Sequence, residues 1–176
     1  MNLANKITMV RVILIPAFLA VLYVDFPWHV QIGLAIFIIA SISDFLDGQI
    51  ARRCNMVTDF GKFVDPIADK MLVTAAMCMF VEWGRMAAWM LLLVVGREFA
   101  VSALRMIAAD RGKVIAAGWS GKVKTASTMV VIILMLAFTN QPTLDLIGCW
   151  LIVLTTVYSG VEYFVKNKDV VDWSDM

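Results

Sequence analysis

Six runs of about 20 mostly apolar residues follow one another along this 176-residue chain, separated by short turns. Each run is long enough to cross the ~30 Å hydrocarbon core of a bilayer as an α-helix. Hydrophobic residues make up 61% of the chain and charged residues 16%, whereas soluble domains contain more charge and fewer apolar residues. The sequence therefore predicts an all-α, polytopic membrane protein, built as a six-transmembrane-helix bundle.

The predicted helices use nearly the whole sequence. Pro27, Gly84 and Pro142 mark three of the breaks between them. The first run carries Arg11 and is followed by no signal-peptidase pattern, so we expect a retained helix. Little sequence is left over for a soluble domain, and we expect residues 1–176 to form one integral-membrane domain. The predicted spans are Ile7–Phe26, His29–Arg52, Gly61–Trp83, Met86–Ala109, Gly118–Thr139 and Leu144–Lys166.

Basic residues collect at one side of the predicted bundle, and only Arg85 falls at the other side. By the positive-inside rule, the basic side faces the cytoplasm. We therefore expect a multi-pass protein of the cell membrane with both termini in the cytoplasm, an acidic tail that is frayed from Asp169, and no nucleic-acid partner. The residues on the basic side are Lys6, Arg11, Arg52, Arg53, Lys62, Lys70, Arg111, Lys113, Lys122, Lys124, Lys166 and Lys168.

Four aspartates interrupt this apolar sequence at the predicted cytoplasmic side. Asp44 and Asp47 end the second helix, and Asp65 and Asp69 begin the third. Residues three or four apart share a helix face, so we expect each pair to point one way and the two pairs to face each other across a short loop. Clustered carboxylates repel one another, and one ionised Asp inside a membrane helix costs roughly 2.5 to 3.5 kcal/mol. Bound cations, protonation or basic neighbours must offset that cost.

Oxygen-only ligands without a nearby His or Cys suit Mg²⁺ or Mn²⁺. Two such ions sharing Asp44 and Asp65 would form the two-metal arrangement that holds a phosphoryl group. Gly48 and Gly61 place no side chain beside the carboxylates, and Arg52, four residues after Gly48, offers a guanidinium for a phosphate. The alternative is a purely structural network of salt bridges to the nearby basic residues Arg52, Arg53, Lys62 and Lys70.

This spacing resembles the full signature of the CDP-alcohol phosphotransferase family, whose members transfer a phosphatidyl or related group from a CDP-linked donor to an alcohol and release CMP. The resemblance implies six transmembrane helices, a cytoplasm-facing site with two Mg²⁺ or Mn²⁺ ions, and a homodimer. Every fixed position is matched: Asp44-x2-Asp47-Gly48-x2-Ala51-Arg52-x8-Gly61-x3-Asp65-x3-Asp69.

Position by position, the resemblance implies that Asp44 and Asp65 bridge both ions and that Asp47 holds one of them. Asp69 holds the other ion and acts as the general base. The N-terminal segment is similar to the family's usual opening but has Ala4 where a proline is common. The residues implied to contact the CDP moiety are Asn5, Thr8, Gly48, Arg52 and Thr58.

The second half of the chain carries the charges that would select the acceptor alcohol. Arg97 and Glu98 lie near the middle of the fourth predicted helix, with Arg105 two turns further along, and Lys122 and Lys124 begin the fifth. Cations are needed if the acceptor carries a phosphate, because the aspartates alone would repel it. Arg97 and Glu98 could equally form a structural ion pair, and the two lysines could be ordinary membrane anchors.

The REF, ALR and GKVKT segments resemble bacterial members of the family that use sn-glycerol 3-phosphate. The resemblance implies transfer of the phosphatidyl group from CDP-diacylglycerol to the C1 hydroxyl of glycerol 3-phosphate, with Arg105, Lys122 and Lys124 binding the acceptor phosphate. The product would be phosphatidylglycerol phosphate. The alternatives within the family are inositol phosphate, serine or phosphatidylglycerol as acceptor; a membrane prenyltransferase and a divalent-cation transporter lie outside it.

Overall fold

The computed structural model of the chain is all-helical in the part that it describes. It describes the backbone of residues 3–53, 59–113, 115 and 118–170, and the side chains of these residues except 3–8, 44–53, 59–63, 65 and 66. Within these residues no strand occurs, so the predicted all-α class is confirmed. The helices are α1 (Leu3–Tyr23), α2 (His29–Arg53), α3 (Asp59–Glu82), α4 (Ala88–Asp110), α5 (Trp119–Ala137) and α6 (Pro142–Lys166), followed by a 3₁₀ turn, η1 (Lys168–Val170).

Each predicted span corresponds to one observed helix, with small differences at the ends. The largest difference is at α1, which begins at Leu3 rather than Ile7, because residues 3–8 contain no Pro or Gly to end the helix. Pro142 lies at the predicted break between the last two helices and is the first residue of α6, where its missing N–H leaves no intrahelical bond unmade. Gly84 lies in the turn after α3 with φ +68°, a left-handed conformation that glycine adopts without steric cost.

By length and apolar composition, α5 and α6 are each able to cross a membrane. In α1 and α2 the apolar stretches are shorter, Met9–Tyr23 and His29–Ser43. Among the described residues two helices meet this criterion, so the six-span bundle stays a prediction. The coarser expectation, a helical chain with apolar helices of membrane-spanning length, holds.

The chain divides into two compact units, of which the first comprises Met1–Trp83 and Ile132–Asn140. Within this unit α1 packs against both α2 and α3. Phe18 of α1 and Phe37 of α2 are fully buried, with ring centroids 6.0 Å apart. A Cβ on Gly33 would lie 2.4 Å from Leu22 Cδ2, so the glycine allows close approach of α1 and α2.

The second unit comprises Gly84–Val131 and Gln141–Met176. Its helices α4 and α6 pack side by side and run in the same direction, because Arg97 contacts Ser159 and, further along both helices, Arg105 contacts Tyr163. The polar residues of α4 are thereby set against the polar residues of α6.

The start of the acidic tail is ordered against α4. Val170 of η1 is 4% exposed and belongs to a buried cluster with Val101, Leu104, Ala108 and Tyr163. The prediction that the tail is frayed from Asp169 is therefore wrong at this position, because an apolar side chain within the tail is buried against α4. Residues 171–176 lie outside the described part of the chain.

Candidate functional site

The four aspartates predicted to bind metal lie on α2 and α3 of the first unit. Asp44 and Asp47 are three residues apart near the end of α2, and Asp65 and Asp69 are four apart near the start of α3. Both pairs fall on continuous helical backbone, which is what the spacing argument requires. The donor set fits a hard divalent cation in its chemistry, because it consists of carboxylates alone.

Asp69 is the member of this set whose side chain the structure describes, and it is half-buried. No group of three or more His, Cys, Asp or Glu residues able to hold a metal occurs among the described residues. That finding leaves the four-aspartate site as a prediction, since the other three side chains are not among them. Also outside the description are the side chains, or the residues themselves, of Asn5, Thr8, Gly48, Arg52, Thr58 and Gly61.

Arg97 is an almost buried cation that joins α4 to α6. Its side chain is 13% exposed; Nη2 donates to Ser159 Oγ at 2.6 Å, and Nη1 donates to Glu98 Oε1 at 3.0 Å. A Cβ on Gly160 would lie 3.3 Å from Arg97 Cγ, so the glycine makes room for the arginine stem. Arg97 is thus fixed by a hydroxyl and a carboxylate at its guanidinium and by close packing at its stem.

Lys124 joins α5 to the same carboxylate. Its Nζ donates to Glu98 Oε1 at 2.7 Å, and its side chain is 6% exposed. One oxygen of Glu98 therefore accepts hydrogen bonds from both Arg97 and Lys124. We refer to Arg97, Glu98, Lys124 and Ser159 as the Glu98 cluster; it contains two cations and one anion and links three helices.

Arg105 and Lys122, the other residues predicted to bind the acceptor phosphate, are exposed. Arg105 Nε donates to the Tyr163 hydroxyl oxygen at 2.9 Å, and its guanidinium carbon lies 5.5 Å from the centre of the Tyr163 ring. Within the described part of the chain the Lys122 side chain makes no hydrogen bond or ion pair, and its backbone N–H donates to Gly118 O at 3.3 Å. The structure places Arg105, Lys122 and Lys124 in one unit, but no shared hydrogen-bond partner among the described residues brings them together.

A cavity of about 560 Å³ lies beside Tyr163 in the second unit. Its wall includes Ser120, Lys113 and the ion pair between Lys166 and Glu162. Acidic and basic groups are mixed in this wall, so the cavity is not a purely cationic pocket. The residues implied for the acceptor phosphate are absent from its lining.

Sequence reasoning missed Ser159 and Tyr163, because α6 was interpreted only as an apolar span. The available signal was their spacing: they are four residues apart, so they lie on one face of α6. Polar side chains on one face of an apolar helix indicate partners inside the protein. The partners are the arginines of α4.

Comparisons with known proteins agree with the family resemblance of the sequence. A family model described as CDP-alcohol phosphatidyltransferase matches residues 1–159. A relative from Bacillus subtilis (strain 168) is named CDP-diacylglycerol–glycerol-3-phosphate 3-phosphatidyltransferase. It is 40% identical over an alignment of 193 positions, which covers 99% of each chain. A relative of the same name from Salmonella typhimurium is 37% identical over 98% of this chain and 90% of its own. A third, from Rickettsia bellii and also of that name, is 36% identical over 95% and 96% of the two chains.

Proposed function

The chain belongs to the CDP-alcohol phosphatidyltransferase family, and we propose that it transfers the phosphatidyl group of CDP-diacylglycerol to sn-glycerol 3-phosphate. The acceptor's C1 oxygen forms a bond to the phosphorus that carries diacylglycerol, and the bond from that phosphorus to CMP breaks. The products are phosphatidylglycerol phosphate and CMP. The observation that carries the proposal is the 40% identity, over 99% of each chain, to a relative whose name states this reaction.

The proposed setting is the cytoplasmic membrane of a bacterium, spanned six times by a single domain that forms a homodimer, with the termini and the site at the cytoplasmic face. Large apolar side chains on the outside of the helices support the membrane environment. Leu92 and Phe99 of α4 are each 72% exposed, and Met106 is 73% exposed. Contact between such an apolar surface and water has an unfavourable free energy, whereas contact with lipid chains does not.

The proposed metal ligands are Asp44, Asp47, Asp65 and Asp69, for two Mg²⁺ or Mn²⁺ ions. When bound, such ions stabilise the negative charge that develops at the phosphoryl centre and on the leaving group. Asp69 accepts the proton of the acceptor hydroxyl, which makes its oxygen a better nucleophile. The residues proposed to hold the CDP moiety are Asn5, Thr8, Gly48, Arg52 and Thr58, with Gly61 leaving space beside the carboxylates.

The acceptor phosphate is proposed to bind Arg105, Lys122 and Lys124. Arg105 donates from Nε to the Tyr163 hydroxyl oxygen, so its terminal N–H groups are available for two phosphate oxygens. Arg97 and Glu98 are supporting residues, because both terminal nitrogens of Arg97 are engaged by Glu98 and Ser159.

The test uses purified protein in detergent with CDP-diacylglycerol, a divalent cation and a panel of acceptors: glycerol 3-phosphate, inositol phosphate, serine, phosphatidylglycerol and glycerol. We expect CMP release with glycerol 3-phosphate that depends on the divalent cation, and the lipid product should carry two phosphates. The protein with Asp44→Asn is the control for background hydrolysis. A preference for an uncharged alcohol would contradict the role given to the cations, and inactivity with every acceptor would contradict the function.

A further inference from the structure

The Glu98 cluster places ionised groups where water is scarce. Lys124 is 6% exposed at its side chain, and Arg97 is 13% exposed. Burying a cation has a high free-energy cost unless a counter-charge and hydrogen bonds accompany it. Glu98 supplies the counter-charge to both, through Oε1 at 2.7 Å from Lys124 and 3.0 Å from Arg97.

Sharing one carboxylate has an electrostatic consequence. Two cations against one anion leave one positive charge among these three residues, so the cluster attracts a further anion. A closed pair of one lysine and one glutamate would not. The cluster is also not sealed, because 22% of the Glu98 side chain is exposed.

Arg97 and Lys124 differ in the contacts that hold them besides Glu98. Arg97 is held by Ser159 and by packing against Gly160 as well. Lys124 has a flexible four-carbon stem and an ammonium with three donors, of which Glu98 accepts one. Among the described residues the other two have no partner. Glu98 therefore determines where the ammonium of Lys124 lies.

From this geometry we infer that Glu98 is a positioning residue for the acceptor phosphate: it holds Lys124 in place through one hydrogen bond and leaves two ammonium donors for phosphate oxygens. The inference rests on the role proposed above for Lys124. It assigns Glu98 no contact with substrate, since a carboxylate would repel a phosphate directly. It also explains why an acidic residue, Glu98, lies beside a site that is proposed to bind an anion.

The test begins with Glu98→Gln, which preserves shape and removes charge. Binding of glycerol 3-phosphate to the purified full-length protein is measured by isothermal titration calorimetry, together with the KM values for both substrates. We expect the Kd and KM for glycerol 3-phosphate to rise about tenfold, because a charge-assisted hydrogen bond becomes a neutral one. The KM for CDP-diacylglycerol should stay unchanged. Glu98→Asp, which keeps the charge, should recover part of the affinity.

The matched control is Glu162→Gln, which removes the carboxylate of a second glutamate–lysine pair among the described residues of this unit, the pair with Lys166. It should leave both KM values unchanged. Combining Glu98→Gln with Lys124→Met should weaken glycerol 3-phosphate binding no more than Lys124→Met alone, because Glu98 acts through the lysine.

Three results would overturn the inference. Tighter binding of glycerol 3-phosphate to Glu98→Gln would mean that Glu98 competes with the phosphate for Lys124. An unchanged Kd with a lower melting temperature would mean a structural role only, and additive losses in the double variant would mean that Lys124 is not the intermediary. The proposed function fails separately, if the wild-type protein forms no phosphatidylglycerol phosphate while still binding glycerol 3-phosphate.

Discussion

Arg85 and Asp145 form a two-point ion pair, in which Nε lies 2.9 Å from Oδ2 and Nη2 lies 2.6 Å from Oδ1. The side chains are 11% and 12% exposed. Arg85 lies in the turn before α4 and Asp145 in the first turn of α6, so the pair joins the beginnings of the two helices. Asp145 also suits this end of α6, because the N-terminus of a helix favours negative charge.

Removing one partner of this pair should destabilise the protein more than removing both. We expect Arg85→Met to lower the free energy of unfolding by about 3 to 5 kcal/mol, because it leaves the Asp145 carboxylate buried without its partner. Arg85→Met combined with Asp145→Leu should regain most of that loss. Thermal unfolding in detergent measures both, and a double variant less stable than Arg85→Met would contradict the expectation.

Tyr163 should influence the acceptor through Arg105. Tyr163→Phe keeps the ring under the guanidinium but removes the oxygen that accepts from Nε, so the KM for glycerol 3-phosphate should rise roughly threefold to tenfold. Arg105→Lys should raise it at least as much, because an ammonium cannot bind phosphate with two parallel donors. The control is Tyr158→Phe, at a tyrosine of α6 that is 68% exposed. An equal effect of Tyr158→Phe would contradict a specific role for Tyr163.

The proposed bridging aspartates should matter at least as much as the proposed base. Proton abstraction by a positioned base contributes ~10² to 10⁴ in rate, and stabilisation of the charged phosphoryl centre usually contributes more. We therefore expect Asp44→Asn and Asp65→Asn to reduce kcat by at least the factor found for Asp69→Asn. Initial rates of CMP release give the comparison. A much larger loss in Asp69→Asn than in the other two would argue against bridging.

Removing divalent cations should abolish turnover without unfolding the protein. Excess chelator is expected to stop CMP release, and Mg²⁺ or Mn²⁺ added beyond the chelator should restore it, because oxygen ligands suit these ions. Circular dichroism recorded with chelator should retain the helical signal. Activity that persists in Asp44→Asn with chelator present would rule out the two-metal proposal.

The sequence by itself determined the helices and the spacing of charged residues along them. Within the described residues the six apolar runs became six helices, because run length and the absence of breakers are local properties. The same holds for the aspartate pairs, since residues three or four apart on a helix share a face whatever the helix packs against. Local periodicity also indicated that Arg97 and Arg105 follow each other along one helix, α4.

Only the tertiary structure decided which side chains meet. Lys122 and Lys124 lie in the same short segment, yet one is exposed and the other is buried against Glu98. Arg97 and Ser159 are far apart in sequence and meet because α4 and α6 pack in parallel. The physical reason is that hydropathy along a chain specifies which face of a helix is apolar, whereas a buried charge acquires its partner from the neighbouring helix.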